Sequence, residues 1–487
     1  MGFFGRKRAP SVPHPRKEPR FDGPLTLKRL EQIFQDCVDF TKRPVSLGEG
    51  GACTLTLCYL SGMVKMERVS DYVLRPLAQD EALARCGTPR QAMEEMMGGA
   101  LYNLSAAERT TLDEAAFDLV AGWCLMFFPG ESAVLSLFVG TEEKRSISSP
   151  SNETVLKGSR DAFVESLRTN TSIVRRHLKT PELRIREQVV GRQSVTSVDI
   201  LYIEGLTNPH LVEQVAAQLA DIDIDAVLAT GNIEEYIVPA ARTAFPLVQY
   251  TERSDRFCAG LAEGRVGILI DGLPLGYLAP GVLGDFLQRP RTRARAGCWL
   301  RPHPAALPVH AGTLLLPALY VAMVTFHQEM IPTRLALSII AAKQDVPSAP
   351  SLRSSSCCWP LRFSRRRGYA CPSPSGRPCL SSAAGGGQRG GGGQDHLPRG
   401  AHRGGHRGDR RIHHASQEVA GALRIWRFLL ALLASAAGLF GVVAGLSALV
   451  IHLAGIESFG VSYLTPFASN AGEQVEGTRC SASPCPR

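Results

Sequence analysis

A short polar stretch at the end of an apolar run holds the residues best suited to chemistry in this chain. It has the sequence Thr-Phe-His-Gln-Glu-Met-Ile-Pro over 325–332 and ends the apolar run at about 306–326. Ionisable groups at membrane depth are costly and often functional, because they line paths for ions or protons. His327 and Glu329 therefore suggest an ion path or gate, with Pro332 stopping the helix. The alternative is an interfacial turn that anchors the helix end, and both interpretations stay open.

Charged residues also cluster on one face of a predicted helix at 158–178. Its other face places Phe163, Leu167 and Val174 at spacings of three and four, which indicates an amphipathic helix. We expect the charged face to be solvated, and contact with lipid phosphate or another subunit is the alternative. The residues of this face are Arg160, Asp161, Arg168, Arg175 and Arg176.

Acidic residues gather after the next predicted helix. A calcium-binding loop needs a glycine at one fixed position and ligands at a fixed spacing, and this stretch lacks that arrangement. We therefore expect a solvated acidic turn rather than a cation site. The residues concerned are Asp221, Asp223, Asp225, Glu234 and Glu235.

The sequence contains no recognisable catalytic motif. The phosphate-binding pattern GxxxxGK[ST] is absent, and no Ser, His and Asp arrangement can be defended. The 13 cysteines include no CxxC pair, and free thiols suit them better than a disulfide framework or a zinc site. We therefore expect no enzyme activity, no cofactor and no metal.

The net charge of +9 comes from one unusual segment. Residues 351–413 hold twelve Arg, no Lys and two Asp, which is +10, so the rest of the chain sums to about −1. The tract at 385–411 resembles Arg- and Gly-rich sequences that bind nucleic acid. A membrane-tethered nucleic-acid-binding protein is therefore the alternative function, although we expect no nucleic-acid partner.

The same region carries evidence of a shifted coding frame. Codons for Cys and Trp begin with T, and so do four of the six Ser codons. A two-nucleotide shift makes each such T a middle base, and a middle T encodes only apolar residues. The run Ser-Ser-Ser-Cys-Cys-Trp at 354–359 would therefore conceal six consecutive apolar residues. We predict that residues 346–415 are out of frame, and residues 289–310 look similarly disturbed.

Alternating strand and helix patterns fill the chain before the apolar regions. A strand is predicted at 194–205, a helix capped by Asn208 and Pro209 follows it, and a second buried strand is predicted at 264–272. Strand, helix and strand in succession favour an α/β module with some parallel pairing. The predicted fold class is thus an α/β soluble N-terminal region followed by an α-helical transmembrane region.

The transmembrane prediction rests mainly on residues 428–455, which include no Asp, Glu, Lys or Arg. About 20 apolar residues suffice to cross a bilayer. Arg424, Trp426 and Arg427 precede this run as interface anchors would. Its small residues predict close helix contacts. They are Gly438, Gly441 and Gly445.

Long ordered stretches of the chain resemble the A-subunit family of spore germinant receptors, the GerA family. They include GSRDAFVESLRTNTSIVRRHL from 158, SVDILYIEGLTNPHLVEQVAAQLADID from 197 and ALRIWRFLLALLASAAGLFGVVAGLSALVIHLAG from 422. The resemblance covers roughly 150–345 and 416–468. It implies a cytoplasmic α/β domain followed by membrane helices in the spore's inner membrane, and a role in coupling germinant sensing to ion release. It also implies a transporter-like B subunit, a lipoprotein C subunit and a homo-oligomer as partners.

These observations divide the chain into seven parts. They are a basic tail at 1–25, an N-terminal α/β subdomain at 26–150, a second α/β subdomain at 151–286, a first membrane region at 287–345, the out-of-frame segment at 346–415, a second membrane region at 416–468 and a C-terminal tail at 469–487.

Overall fold

Two five-stranded sheets with their helices precede a group of apolar helices. The computed structural model describes residues 21–47, 53–80, 83, 86, 88–100, 105–140, 161–227, 236, 243–287, 306–334 and 417–465. The predicted segments 289–305, 335–415 and 469–487 lie outside these residues. The seven-part division of the chain therefore stays a prediction.

The first sheet is antiparallel throughout and has the order β1-β2-β4-β5-β3. Its central strands bury both faces, because alternate side chains of β2 enter different cores. Leu55, Leu57 and Tyr59 pack into one core, and Cys58 and Leu60 into the other. The strands are β1 (Phe40–Leu47), β2 (Cys53–Leu60), β3 (Ala106–Arg109), β4 (Trp123–Phe127) and β5 (Val134–Phe138).

Helices of the described residues cover the two faces of the first sheet. Thr26, Thr88 and Thr111 each accept a hydrogen bond from a first-turn backbone N–H and so start three of them. The helices are α1 (Leu27–Ile33), α2 (Met66–Val69, continued by a π-helical turn at Ser70–Leu74 and by Arg75–Gln79), α3 (Pro89–Glu95) and α4 (Leu112–Val120). Residues of α1 and α4 pack into one core and residues of α2 and α3 into the other.

The second sheet has the order β6-β7-β9-β10-β8 and is also antiparallel. The expected parallel pairing is wrong. Between β7 and β9 the described chain includes helices at 209–220 and 254–262 and the strand β8, instead of the single helix of a right-handed crossover. The chain therefore enters β9 at the end of the sheet that makes β9 antiparallel to β7. The strands are β6 (Leu183–Val190), β7 (Thr196–Ile203), β8 (Gln249–Thr251), β9 (Val266–Ile270) and β10 (Gly276–Ala279).

Helices lie on both faces of the second sheet. Residues of α6 pack on one face, and residues of α5 and α7 pack on the other. Asn208 accepts from the His210 backbone N–H and Pro209 opens α6, as predicted. The helices are α5 (Leu167–His177), α6 (Pro209–Ala220), α7 (Ser254–Ala262) and the short α8 (Leu283–Leu287).

Two long apolar helical segments and a small strand pair complete the described chain. They are α9 (Ala306–Thr325), α10 (Gln417–Ala454), β11 (Glu457–Ser458) and β12 (Val461–Ser462). By length and composition, Gly421–Ala454 is the one described helical segment long and apolar enough to cross a membrane. An α/β N-terminal region followed by an apolar helical region confirms the predicted fold class.

Candidate functional site

The polar stretch after α9 forms a compact turn at the helix end. The Thr325 hydroxyl donates to the Val321 carbonyl at 2.7 Å, and the Gln328 amide donates to the Val324 carbonyl at 3.0 Å. A 3₁₀ turn, Gln328–Met330, follows directly. The Gln328 side chain thus satisfies a carbonyl of the last turn that the helix end would otherwise leave unpaired.

The three predicted site residues differ in their surroundings. Glu329 and Pro332 are exposed, whereas His327 is partly buried. Within the part of the chain that the structure describes, Nδ1 of His327 is buried without a hydrogen-bond partner. The structure therefore places all three residues in one turn and singles out His327 as the member enclosed by protein.

A break in the backbone of α10 packs against His327. Ala437 and Gly438 have non-helical dihedral angles, and Gly438 adopts φ 59° and ψ −136°. A Cβ atom on Gly438 would lie 3.0 Å from Phe326 Cβ and 3.1 Å from His327 Cε1. The positive φ and the close approach both require glycine here. The break in α10 therefore packs on the predicted site.

The two halves of α10 fold back on each other across this break. We call them the first arm (417–436) and the second arm (439–454). A Cβ on Gly445 would lie 2.6 Å from Leu430 Cδ2, and a Cβ on Gly441 would clash with the Leu433 carbonyl. The predicted close contacts of small residues are confirmed, and the contacting helix is the preceding arm of the same chain.

The open end of this hairpin rests on the second sheet's subdomain. The rings of Trp426 and His452 lie 5.5 Å apart, and His452 Nε2 is 3.1 Å from the Thr243 hydroxyl. Phe245 packs against His452 and Tyr463, with ring centroids 6.2 and 6.1 Å apart. The membrane-like helices therefore contact the soluble region through side chains, in addition to the chain connection.

The strand pair after the hairpin extends this contact. The Ser458 hydroxyl donates to the Leu247 carbonyl at 2.9 Å, and the Leu283 N–H donates to the Tyr463 carbonyl at 2.9 Å. Phe459 is buried in the core between the second sheet and α6. We call residues 457–463 the C-terminal clasp. No motif in the sequence of this segment predicted its contact with the second subdomain.

The two subdomains meet at α5, and this corrects one prediction. Arg175 is 1% exposed and forms a bidentate ion pair with Asp39, with Nη2 2.8 Å from Oδ1. The Val38 N–H donates to the Ile185 carbonyl at 3.0 Å beside this pair. The expectation of a solvated face is therefore wrong for Arg175, because the first subdomain covers that side of the helix. Arg176 is exposed as expected.

A buried carboxylate on β7 lies next to this junction. Asp199 has no exposed surface, and among the described residues its oxygens accept no hydrogen bond. Arg168 Nη1 is 3.6 Å from Asp199 Oδ2, while Arg168 Nη2 bonds Glu187 at 2.8 Å. Burial raises the pKa of Asp199 to about 7, helped by the nearby carboxylates of Glu187, Asp39 and Asp271 and opposed by Arg168. The sequence feature that could have predicted this buried carboxylate is the single Asp within the apolar strand Val-Asp-Ile-Leu-Tyr-Ile.

The acidic turn after α6 agrees with its prediction where the structure describes it. Asp221, Asp223 and Asp225 are exposed, and Asp223 pairs with exposed Arg192 at 2.7 Å. Within the described ranges, no group of three or more His, Cys, Asp and Glu side chains is placed to hold a metal ion.

Comparisons with known proteins agree with the resemblance found in the sequence. The family model described as Bacillus/Clostridium GerA spore germination protein matches residues 28–358 and 413–481. The spore germination protein KA of Bacillus subtilis (strain 168) is 29% identical over 458 residues, which are 90% of this chain and 80% of that protein. The spore germination protein GerLA of Bacillus cereus is 30% identical over 453 residues, 91% of this chain and 89% of that protein.

Two further similarities concern a membrane protein and a solved structure. The uncharacterized membrane protein YfkQ of Bacillus subtilis (strain 168) is 30% identical over 474 residues, 92% of this chain and 87% of that protein. The N-terminal domain of the A subunit of the Bacillus megaterium spore germinant receptor GerK3 is 27% identical with a TM-score of 0.43, covering 54% of this chain and 99% of that one. Because the family model matches well over half of the residues, the chain belongs to the GerA family of spore germination proteins.

Proposed function

We propose that this chain is a membrane subunit of a spore germinant receptor. In this role it couples nutrient germinant sensing to ion release across the spore's inner membrane, and it has no catalytic chemistry of its own. Family membership and the names of its relatives support the germination role. The absence of a catalytic motif in the sequence is in keeping with a receptor rather than an enzyme.

The packing of the hairpin on the second subdomain is the observation that carries the coupling proposal. Ligand binding shifts a conformational equilibrium only when the ligand binds one state better than the other. A soluble region can pass such a shift to a membrane region only through contacts that move together. The Thr243–His452 contact and the C-terminal clasp are contacts of this kind.

The proposed ion path or gate is the turn around His327 and Glu329. His327 packs against the broken backbone at Gly438, so movement of the hairpin would change its surroundings directly. Pro332 does not stop α9 as predicted, because the helix already ends at Thr325 and Pro332 lies at the end of the turn. The other interpretation, an interfacial anchor, predicts that these side chains can be changed without loss of ion release.

Complementation of spores lacking their own A subunit tests the proposal. Spores carrying a frame-restored gene should release monovalent cations after exposure to a panel of amino acids and sugars. The chain as written should not restore release. Release that stays at the level of the deletion strain, with the restored protein present in the membrane, would contradict the proposed function.

Two substitutions in the restored gene separate the gate from the anchor. We expect His327→Ala and Glu329→Gln to slow cation release several-fold at equal protein level. Thr333→Ser, at the exposed residue directly after this turn, serves as the control and should leave release unchanged. Equal rates in all three variants would favour the interfacial anchor.

The proposed assembly includes a transporter-like B subunit, a lipoprotein C subunit and further copies of this chain, with the soluble region in the cytoplasm. The relatives named as spore germination proteins support a shared membrane-associated setting. Co-purification of both other subunits with a tagged chain from spore membranes tests this. No observation beyond the sequence supports the nucleic-acid-binding alternative, because its tract at 385–411 lies outside both the residues matched by the family model and the residues that the structure describes.

A further inference from the structure

The distances within α10 exclude a single continuous span. A helix rises 1.5 Å per residue, so Trp426 and His452 would lie about 39 Å apart in a straight helix. Their ring centroids are 5.5 Å apart. Leu430 and Gly445 would lie about 22 Å apart in a straight helix, yet they are in contact. The segment is therefore a closed antiparallel hairpin with its turn at Ala437 and Gly438.

Both ends of the hairpin are held on the same side. Trp426 in the first arm and His452 in the second arm contact each other, and His452 contacts Thr243 of the soluble region. The chain then continues into the C-terminal clasp, which bonds Leu247 and Leu283. A helix crossing once would carry this clasp to the face of the membrane opposite the soluble region, where these bonds could not form.

The lengths match a bilayer. Each arm from Gly421 to Ala454 has about 16 residues and is about 24 Å long, and the 20 residues of α9 span about 30 Å. The hydrocarbon core is about 30 Å thick, and local thinning accommodates a shortfall of a few Å. Arg424 and Arg427 lie near the open end, where long basic side chains reach back to the interface. At the other end, the hairpin turn meets the polar turn that follows α9.

The outer surface of the hairpin suits lipid chains. Its exposed side chains are almost all apolar, and in water they would form a costly patch. Charged side chains are absent from both arms between Phe428 and Ile451. The most exposed large members are Ile425, Leu432, Phe440 and Ile451, at 60%, 66%, 78% and 72%.

We propose that Gln417–Ala454 crosses the bilayer twice, entering and leaving on the side of the soluble region, with Ala437 and Gly438 at the opposite face beside His327. The hydrocarbon of both leaflets is the partner of its outer surface. This topology is independent of the germination role, because it follows from the hairpin, the clasp and the arm lengths alone.

Site-specific thiol labelling of the full chain in oriented membrane vesicles tests the topology. The single substitutions are Ala437→Cys at the turn, Ser462→Cys in the clasp and Arg192→Cys on the exposed soluble surface, each read by mass spectrometry of the labelled peptide. We expect Ser462→Cys and Arg192→Cys to react from one face with an impermeant maleimide, and Ala437→Cys from the other. Labelling of Ser462→Cys from the face opposite to Arg192→Cys would overturn the hairpin. Failure of Ala437→Cys to react from either face would overturn the double crossing.

Cross-linking provides a second readout that does not depend on vesicle orientation. A short bismaleimide should join Trp426→Cys to His452→Cys within one chain. The control pair, Trp426→Cys with Val442→Cys, is offset along the hairpin by ten residues, or about 15 Å, and should not be joined. A continuous helix predicts no link in either pair, and that result would contradict the proposal.

Discussion

At the scale of single residues, Asp199 is the most unusual group that the structure reveals. Its pKa of about 7 in the folded chain compares with 3.8 for an unperturbed Asp. The folded state therefore binds this proton more tightly than the unfolded state does. Protonated Asp199 favours folding most fully below about pH 4, and this contribution is lost as the pH rises through 7.

We predict that Asp199→Asn stabilises the soluble region at pH 7.5 and flattens the loss of stability between pH 4 and 7. The neutral amide removes the cost of a buried charge, and the gain should be on the order of 2 to 4 kcal/mol. Thermal unfolding of the full chain in detergent across this pH range measures it. The control Asp223→Asn changes an exposed carboxylate and should have no such effect. An unchanged pH profile in Asp199→Asn would contradict the role of this carboxyl.

A second residue-scale prediction concerns Gly438. Alanine there meets both a positive φ and contacts of 3.0 Å, so Gly438→Ala should lower stability by about 1 to 3 kcal/mol. Gly421→Ala in the first arm has open space and ordinary helical geometry, and it should be neutral or slightly stabilising. Thermal unfolding in detergent compares the two variants. Equal melting temperatures would argue against a rigid turn at the break.

At the scale of elements, the contact between the subdomains includes a buried ion pair. Asp39→Ala leaves the Arg175 guanidinium buried without its carboxylate, which typically costs about 3 to 5 kcal/mol. The exposed pair of Arg192 and Asp223 offers a matched control, and Asp223→Ala should cost about 0 to 1 kcal/mol. Denaturant unfolding measures both. Similar small losses would show that the subdomain contact does not rely on this pair.

The C-terminal clasp supports another element-scale prediction. Phe459→Ala removes a buried ring from the core of the second subdomain and should cost about 3 to 5 kcal/mol. Phe440→Ala makes the same change on the outer surface of the hairpin, where the ring is 78% exposed, and should change stability little in detergent. Melting temperatures of both variants test this. A smaller effect at Phe459 than at Phe440 would rule out the clasp as a stabilising contact.

Local patterns predicted much of the fold because they reflect local physics. The cap at Asn208, the stripe of α6 and the apolar run around α10 all follow from side-chain spacing. The hairpin could not be predicted from the sequence, because a charge-free run has the same composition whether its helix is straight or folded back. The backbone angles at Gly438 and the contacts between the two arms distinguish these cases. The burial of Arg175 was missed for a similar reason, since its partner Asp39 lies 136 residues away.

At the scale of the whole molecule, we expect the segment at 346–415 to decide whether the chain as written is functional. The family model leaves 359–412 unmatched, although its match extends to 358. We predict that resequencing will restore an apolar, membrane-helix-like sequence in this segment. Detection of a peptide containing Ser-Ser-Ser-Cys-Cys-Trp in expressed protein would contradict the frame hypothesis.

The position of Phe459 has a consequence for biosynthesis. The core of the second subdomain takes this ring from a segment that leaves the ribosome more than 170 residues after the last strand of its sheet. Until then, the nascent domain exposes an incomplete apolar surface to chaperones and proteases. A chain that stops early, as many shifted frames do, would never receive the ring. Truncated copies would therefore keep the apolar core of the second subdomain incomplete, whereas full-length copies complete it last.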